Sequence, residues 1–263
     1  MKILAVGDVC GETGCDAVLK FLPKLKKEHN IDVTVINGEN SADGNGITPH
    51  SATLLFSAGA DVITGGNHSL RRKEVYDMLD ENPFLLRPDN IKCEYGSGYC
   101  LLDLGRTSIA VINIAGVYCL EKLGAENPFV TADNLIDRAK SDGAKMILVD
   151  FHAEATSEKR ALGLYIDGRV SAVFGTHTHI QTADATVLPK GTGYITDLGM
   201  TGPENSVLGV KSEIIINRFV NGNPAKFEFA DGDWILNGCI FDIDEKSGLA
   251  LSVESIFVKE ADV

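Results

Sequence analysis

The sequence lacks the long apolar runs and paired cysteines of membrane and secreted proteins. Residues 1–8 are too short an apolar run for a signal peptide, and Asp8 interrupts them. No later stretch approaches the length of a membrane span. The six cysteines show neither a CxxC pair nor the spacing of a disulfide framework. We therefore expect a cytoplasmic protein with reduced, mostly buried thiols and no membrane partner.

Positive charge is scarce, since 24 Lys and Arg against 37 Asp and Glu give a formal net charge of -13. This balance argues against a general nucleic-acid or anionic-membrane surface. It does not exclude a small anionic substrate, because bound metal ions can oppose the overall field locally. Residues 7–14 superficially resemble a nucleotide cradle, but the chain has no GxGxxG or GK[ST] motif.

Linkers, low-complexity tracts and internal repeats are also missing from the chain. The hydrophobic fraction of 44% is ordinary for a globular protein with a real core. We therefore predict one domain over residues 1–263.

Short apolar strands alternate with helices through much of the chain. The predicted strands that end in polar loops are 2–6, 33–36, 62–64, 145–149 and 170–174. The predicted helices are 16–27, 49–59, 71–80, 131–141 and a helix that ends near 165. This rhythm indicates parallel strands with helices on the faces of the sheet.

Other segments favour antiparallel pairing. A hairpin is predicted over 99–104 and 108–114, and residues 118–129 form an irregular segment. The short strands predicted after residue 179 are 187–188, 194–196, 227–229, 235–243 and 251–258. We expect them to form an antiparallel sheet that completes a two-sheet core.

The segment 172–179 ends in two histidines, His177 and His179, separated by one residue. If it is a strand, both imidazoles leave its end on the same side, because side chains alternate with period two. They can then bind one metal ion or two adjacent ions. The alternative is a polar strand end with ordinary surface histidines.

Six further polar residues follow the other predicted strands. They are Asp8, Glu39, Asn40, Asn67, His68 and His152. Each has an ordinary explanation alone, such as a helix cap, a turn residue or a hydrogen-bonded core histidine. Ligand sites in parallel sheets lie beyond the carboxyl ends of the strands, so these side chains point into one crevice. Carboxylate, amide and imidazole ligands together suit iron, manganese or zinc.

Five motifs resemble those of the calcineurin-like metallophosphoesterases. They are Gly7-Asp8-Val9, Gly38-Glu39-Asn40, Gly66-Asn67-His68, the run 150–159 and Gly175-Thr176-His177-Thr178-His179. The stretches 151–159, 175–184 and 196–203 make the chain more specifically similar to the YmdB family of bacterial phosphodiesterases. The similarity runs from Met1 to about Val258, with the motifs in the family's order.

The resemblance implies a four-layer α/β/β/α sandwich with two mixed sheets and two metal ions, most often iron or manganese. It makes Asp8, Asn40 and His179 ligands of one ion. Asn67, His152 and His177 would bind the other ion, and Glu39 would bridge the two. His68 matches the family's proton donor.

The implied activity is hydrolysis of small phosphodiesters such as 2′,3′-cyclic nucleotides, with 3′,5′-cyclic AMP as a further candidate. In the mechanism that the resemblance implies, a hydroxide between the two metals would attack phosphorus in line, and His68 would protonate the departing alkoxide. The resemblance also implies a homo-oligomer, for which residues 118–129 are the candidate contact.

The chain departs from the wider superfamily at two places. Ser69 follows His68 where the superfamily often has a carboxylate, so other groups must orient the histidine. Glu39-Asn40 also stands where Asp-rich ligands are common. Arg71 and Arg72 are candidates for binding phosphate, with a solvated helical turn as the alternative. Candidates for orienting the imidazoles are Glu154, Thr178, Asp184 and Asp197.

Three other functions are weighed against this one. A broad phosphomonoesterase would use the same residues, and a non-catalytic, metal-bound regulatory scaffold would not need His68. An amidohydrolase also uses an HxH motif, but typically at an early strand, and would leave Gly66-Asn67-His68 unexplained.

Overall fold

Short apolar strands pair into two sheets in the computed structural model, which describes residues 1–222 and 224–262. The strands in chain order are β1 (Lys2–Val6), β2 (Asp8–Val9), β3 (Val33–Asn37), β4 (Val62–Thr64), β5 (Tyr99–Asp103), β6 (Ser108–Ala115), β7 (Met146–His152), β8 (Ala172–Thr176), β9 (Thr186–Val187), β10 (Gly193–Ile195), β11 (Met200–Pro203), β12 (Trp234–Ile243) and β13 (Ala250–Lys259). The helices are α1 (Gly11–His29), α2 (Pro49–Ala58), α3 (Tyr76–Glu81), α4 (Pro128–Ser141), α5 (Thr156–Tyr165) and α6 (Ser212–Asn221).

Both sheets are mixed. The first has the order β2-β11-β12-β1-β3-β4, with β13 also paired to β12. Its strands β1, β3 and β4 are parallel, whereas β12 is antiparallel to β1, β11 and β13. The second sheet has the order β5-β6-β7-β8-β10-β9, with antiparallel strands only at its two edges.

Three apolar layers hold the sheets and helices together. Leu4 of β1 packs with Leu22 and Leu55 of the helices on one side, whereas its neighbour Ile3 packs against the second sheet. Alternate residues of one strand thus serve two layers, as the period of a strand requires. A third layer joins the second sheet to α4 and α5. The four-layer α/β/β/α arrangement of two mixed sheets is therefore confirmed.

Several predicted elements differ from the structure. The helix predicted at 71–80 begins only at Tyr76, after a 3-10 turn over Lys73–Val75. The strand predicted at 227–229 is wrong, since only Phe229 forms a bridge there, to Val210. The strands after residue 179 do not form one antiparallel sheet. β9 and β10 extend the second sheet, while β11 to β13 complete the first.

Two surface features bear on partners. The predicted irregular segment 118–129 contains a 3-10 turn over Glu121–Leu123, and its last two residues begin α4. It is mostly exposed, with Tyr118 66% exposed, and its role as an oligomer contact stays a prediction. Within residues 1–222 and 224–262, no helix is long and apolar enough to cross a membrane.

All six cysteines are free thiols, and four of them are buried.

Candidate metal centre

The parallel strands bring all eight predicted site residues into one cluster between the two sheets. Asp8, Glu39, Asn40, Asn67 and His68 follow strands of the first sheet, and His152, His177 and His179 come from the second. Direct contacts link every member to at least one other. The crevice predicted at the carboxyl ends of the strands is therefore present.

One half of the cluster surrounds His152, which is fully buried. Its Nε2 lies 2.9 Å from Asn67 Oδ1, 3.0 Å from His177 Nδ1 and 3.5 Å from Glu39 Oε2. Burial lowers the pKa of both His152 and His177, which favours the neutral rings that bind metals. Ligand atoms of Glu39, His152 and His177 lie within 4.8 Å of one another, so one ion could contact all three.

A buried hydrogen-bond chain orients His152. Its Nδ1 lies 2.9 Å from Thr176 Oγ1, whose hydroxyl donates to Asp150 Oδ1 at 2.7 Å. Thr176 Oγ1 is then free to accept from the imidazole N–H, which leaves the Nε2 lone pair facing the cluster. Asn37 and Thr64 also donate to Asp150, whose pKa burial raises to about 6.

The other half contains Asp8, Asn40 and His179. Asp8 Oδ2 accepts a hydrogen bond from the His177 amide at 3.1 Å. Asp8 Oδ1 is buried without a hydrogen-bond partner among the described residues and lies 3.8 Å from His179 Nε2. Burial and the charges of Asp197 and Glu39 raise the pKa of Asp8 well above its usual value. A cation beside this oxygen would remove that penalty, so the position fits a metal ligand.

Asn40 lies between Glu39, His68 and His179. Its Nδ2 donates to Glu39 Oε1 at 2.9 Å and lies 3.3 Å from His179 Nε2, while its Oδ1 lies 2.9 Å from His68 Nδ1. Metal ligation beside His179 requires a 180° turn of this amide, which exchanges the oxygen and the nitrogen. The turn changes only the terminal torsion of the side chain. It would set the Asn40 oxygen beside Glu39 Oε1, so it requires a cation between the two oxygens.

His68 is oriented by Glu39 and Asn40 rather than by Ser69. Glu39 Oε1 lies 3.2 Å from His68 Nδ1, and Oε2 accepts from the His68 amide at 2.8 Å. Burial alone would raise the pKa of Glu39, but His152 and His68 hold it well below its usual range. Ser69 Oγ instead accepts from the Gly66 amide at 2.7 Å and shapes the turn.

The two histidines of the HxH motif reach the cluster by a different route from the one predicted. β8 ends at Thr176, and His177 and His179 have φ values of 102° and 65°, where non-glycine residues are rare. The positions of these two side chains therefore do not follow from the alternation of side chains along a strand. His177 Nε2 lies 3.0 Å from Glu154, whereas His179 Nδ1 lies 3.1 Å from the Leu208 carbonyl. The two rings serve opposite halves of the cluster.

The residue between these histidines is anchored by a buried ion pair. Lys159 Nζ donates to Asp197 Oδ2 at 2.5 Å and to the Thr176 carbonyl at 2.8 Å. The same Asp197 oxygen accepts from the Thr178 amide at 3.1 Å. Asp184, the other carboxylate considered for this role, bonds Thr182 and Thr196 rather than an imidazole.

The cluster thus fits metal ions on three grounds. It holds an unpartnered carboxylate oxygen at Asp8 and imidazole nitrogens converging near Glu39. Gly66 leaves room for them, because a Cβ there would lie 2.3 Å from both Glu39 Oε2 and the His152 ring.

Known proteins resemble this chain along its whole length. The model of the family described as YmdB-like protein matches residues 4–256. A 2′,3′-cyclic-nucleotide 2′-phosphodiesterase of Bacillus subtilis (strain 168) is 46% identical over 261 residues, covering 99% of this chain and 98% of the relative. The crystal structure of a phosphatase of Mycoplasma pneumoniae superposes with a TM-score of 0.93 at 33% identity, covering 98% of this chain and 93% of the other.

A more distant structure has the same fold. The 5′-nucleotidase precursor of Thermus thermophilus gives a TM-score of 0.59 at 10% identity, covering 98% of this chain and 54% of the other. The fold is therefore that of the calcineurin-like metallophosphoesterases and 5′-nucleotidases, as the motifs indicated. On the family match and the 46% identity, this chain belongs to the YmdB-like family.

Proposed function

We propose that this protein is a metal-dependent phosphodiesterase that hydrolyses 2′,3′-cyclic nucleotides and related small phosphodiesters. The convergence of Asp8, Glu39, Asn40, Asn67, His68, His152, His177 and His179 carries the proposal, because these groups are suited to hold metal ions beside a proton donor. The activity named for the Bacillus subtilis relative supports the choice of substrate.

The two halves of the cluster would each hold one ion. Asp8, Asn40 and His179 form one ligand set, and Asn67, His152 and His177 form the other. Glu39 reaches both, with Oε1 beside Asn40 and Oε2 beside His152. This mixture of oxygen and nitrogen ligands suits iron or manganese. When bound, such ions neutralise phosphate charge and generate a hydroxide nucleophile at neutral pH.

His68 would protonate the leaving alkoxide. Its Nδ1 lies 3.2 Å from Glu39 Oε1, which can hold the ring in either orientation of the Asn40 amide and leaves Nε2 to meet the substrate. The side chain is 27% exposed and lines a cavity of about 390 Å³ together with His177 and His179. A proton donor fixed at the mouth of the site can protonate a leaving group without being a metal ligand itself.

Elemental analysis paired with a substrate panel tests this proposal. The panel holds 2′,3′-cyclic AMP, 3′,5′-cyclic AMP, bis-p-nitrophenyl phosphate and p-nitrophenyl phosphate. We expect about two metal ions per chain, as a dinuclear site requires, with diesters cleaved in preference to the monoester. Preference for the monoester would indicate a phosphatase. Bound metal without turnover of any ester would contradict the enzyme and indicate a regulatory scaffold.

A further inference from the structure

A second cavity continues outward from the cluster. We call it the outer cleft; its volume is about 510 Å³, and its walls include Arg71, Arg218, Lys226, Phe227 and Phe229. The inner cavity, which touches Glu39, His177 and His179, has His68, Arg218 and both phenylalanines in its own wall. The two cavities are therefore parts of one groove, with the proton donor at their junction.

The charge of the outer cleft is opposite to that of the whole chain. Arg71, Arg218 and Lys226 line it, and no carboxylate of the described residues does, although the chain has 37 acidic residues against 24 basic ones. None of the three cations forms an ion pair with a residue in the described ranges. Their charges are thus available to an anionic ligand, and the cleft walls concentrate their field.

Arg72 shows the difference between a structural and an available cation. Its Nε donates to the Asn45 carbonyl at 3.1 Å, and its terminal nitrogen donates to the Asp43 carbonyl. It therefore holds the loop of residues 43–46 in place. Arg71, its neighbour in sequence, instead contributes to the wall of the outer cleft.

Aromatic surface lies beside the cations. Phe227 is 42% exposed, and the Arg218 guanidinium carbon lies 5.2 Å from its ring centroid. Phe229 packs closely against Gly11, where a Cβ would lie 2.9 Å from the ring. Cationic side chains bind the phosphate of a nucleotide, and an exposed aromatic ring stacks on its base.

We propose that the outer cleft binds a second phosphate of the substrate and the nucleoside attached to it. This inference rests on the proposed phosphodiesterase activity and narrows its substrate class. The substrates it favours carry a phosphate besides the one that reacts, such as a 2′,3′-cyclic nucleotide with a 5′-phosphate or the cyclic end of a short oligonucleotide. Free nucleoside cyclic phosphates would use only the inner cavity.

Matched substrates test the subsite. Adenosine 2′,3′-cyclic phosphate and its 5′-phosphorylated form differ only in the second phosphate. We expect kcat/KM to be at least about tenfold higher for the 5′-phosphorylated ester, because charge-assisted hydrogen bonds to phosphate are strong. The preference should shrink as salt screens the cleft. In the double variant Arg218→Gln/Lys226→Gln the ratio should approach one, chiefly through a higher KM.

A control variant and a binding measurement separate the outcomes. Lys27→Gln removes an exposed cation of α1 and should keep the wild-type ratio. Calorimetry should show adenosine 3′,5′-bisphosphate binding more tightly than adenosine 3′-monophosphate, with the difference lost in the double variant. Equal kcat/KM for both esters overturns the subsite alone. Absence of turnover with both esters overturns the proposed activity and the subsite with it.

Discussion

The two halves of the cluster differ in how firmly the protein holds them. Around His152 the ring nitrogen lies 2.9 Å from Asn67 and 3.0 Å from His177, and Thr176 and Asp150 fix the ring from behind. Around His179 the nearest Asp8 oxygen is 3.8 Å away and has no hydrogen-bond partner among described residues. Asn40 must also turn its amide to present an oxygen there.

This difference indicates unequal metal affinities. Ligands held in place by a surrounding hydrogen-bond network lose little entropy when an ion arrives, whereas unpaired or misdirected ligands must reorganise. We therefore expect the His152 half to bind its ion more tightly and to keep it longer against a chelator.

Glu39→Gln should have the largest effect, because Glu39 is placed to serve both halves. The variant removes a negative charge from both proposed ion sites while keeping the shape of the side chain. We expect both ions to be lost and phosphodiester hydrolysis to fall to background. Elemental analysis with a bis-p-nitrophenyl phosphate assay checks this, and retention of two ions would contradict the bridging role.

His152→Ala and His179→Ala should distinguish the two halves. The first removes the centre of the better-held half, so we expect almost no bound metal. The second should keep about one ion per chain with little turnover, if each half holds one ion of a two-metal site. Metal content after dialysis decides between them, and equal losses in the two variants would show that the halves are not distinct.

His68→Ala should reduce turnover without emptying either half. A positioned proton donor contributes about 10²–10⁴-fold, so kcat for alkyl diesters should fall by that amount. Two metal ions per chain should remain, since His68 is not in either ligand set. Esters with a good leaving group, such as p-nitrophenolate, should lose less, and an equal loss for both leaving groups would contradict proton donation.

Thr176→Val should have the smallest effect and falls on the His152 half alone. It keeps the side-chain volume but breaks the hydrogen-bond chain between His152 and Asp150. Loss of such a supporting group typically weakens metal binding about 10–100-fold. Metal titration measures the change, and Thr53→Val on α2 is the control, since its hydroxyl bonds only the helix backbone at Pro49. An unchanged metal affinity would show that Thr176 does not support the His152 half.

The sequence was sufficient for the residues of the cluster because parallel strands end at one edge. Asp8 and Glu39 follow the paired parallel strands β1 and β3, so their meeting follows from the pairing rule. His152 closes β7 of the second sheet, and its approach to them depends on how the two sheets pack. The groups that orient them were harder to find. Thr176 and Asp150 lie inside apolar strands, and their hydrogen bonds depend on the packing of neighbouring strands rather than on sequence spacing.

Two other features could not be predicted from patterns in the sequence. His177 and His179 have positive φ values, and their rings contact Glu154 and the Leu208 carbonyl at 3.0–3.1 Å, groups that lie far away in sequence. Helix α6 was not predicted, because Ile214, Ile215 and Ile216 are β-branched and favour a strand. Within α6 only Ile215 is buried, whereas Phe219 and Val220 are 82% and 74% exposed, so few buried positions mark its helical period.

The outer cleft has a consequence for how this family can diversify. Much of its wall comes from residues 207–222 and 224–229, which make only isolated bridges and no strand of either sheet. The proposed metal ligands, in contrast, follow strands that carry the core. Leu208 of this wall segment contacts His179 through its carbonyl. Changes at Arg218, Lys226 and Phe227, however, can alter which molecules are accepted without replacing a contact to a proposed metal ligand. Substrate specificity can therefore evolve through substitutions in one peripheral segment, while the strands that carry the reaction centre stay the same.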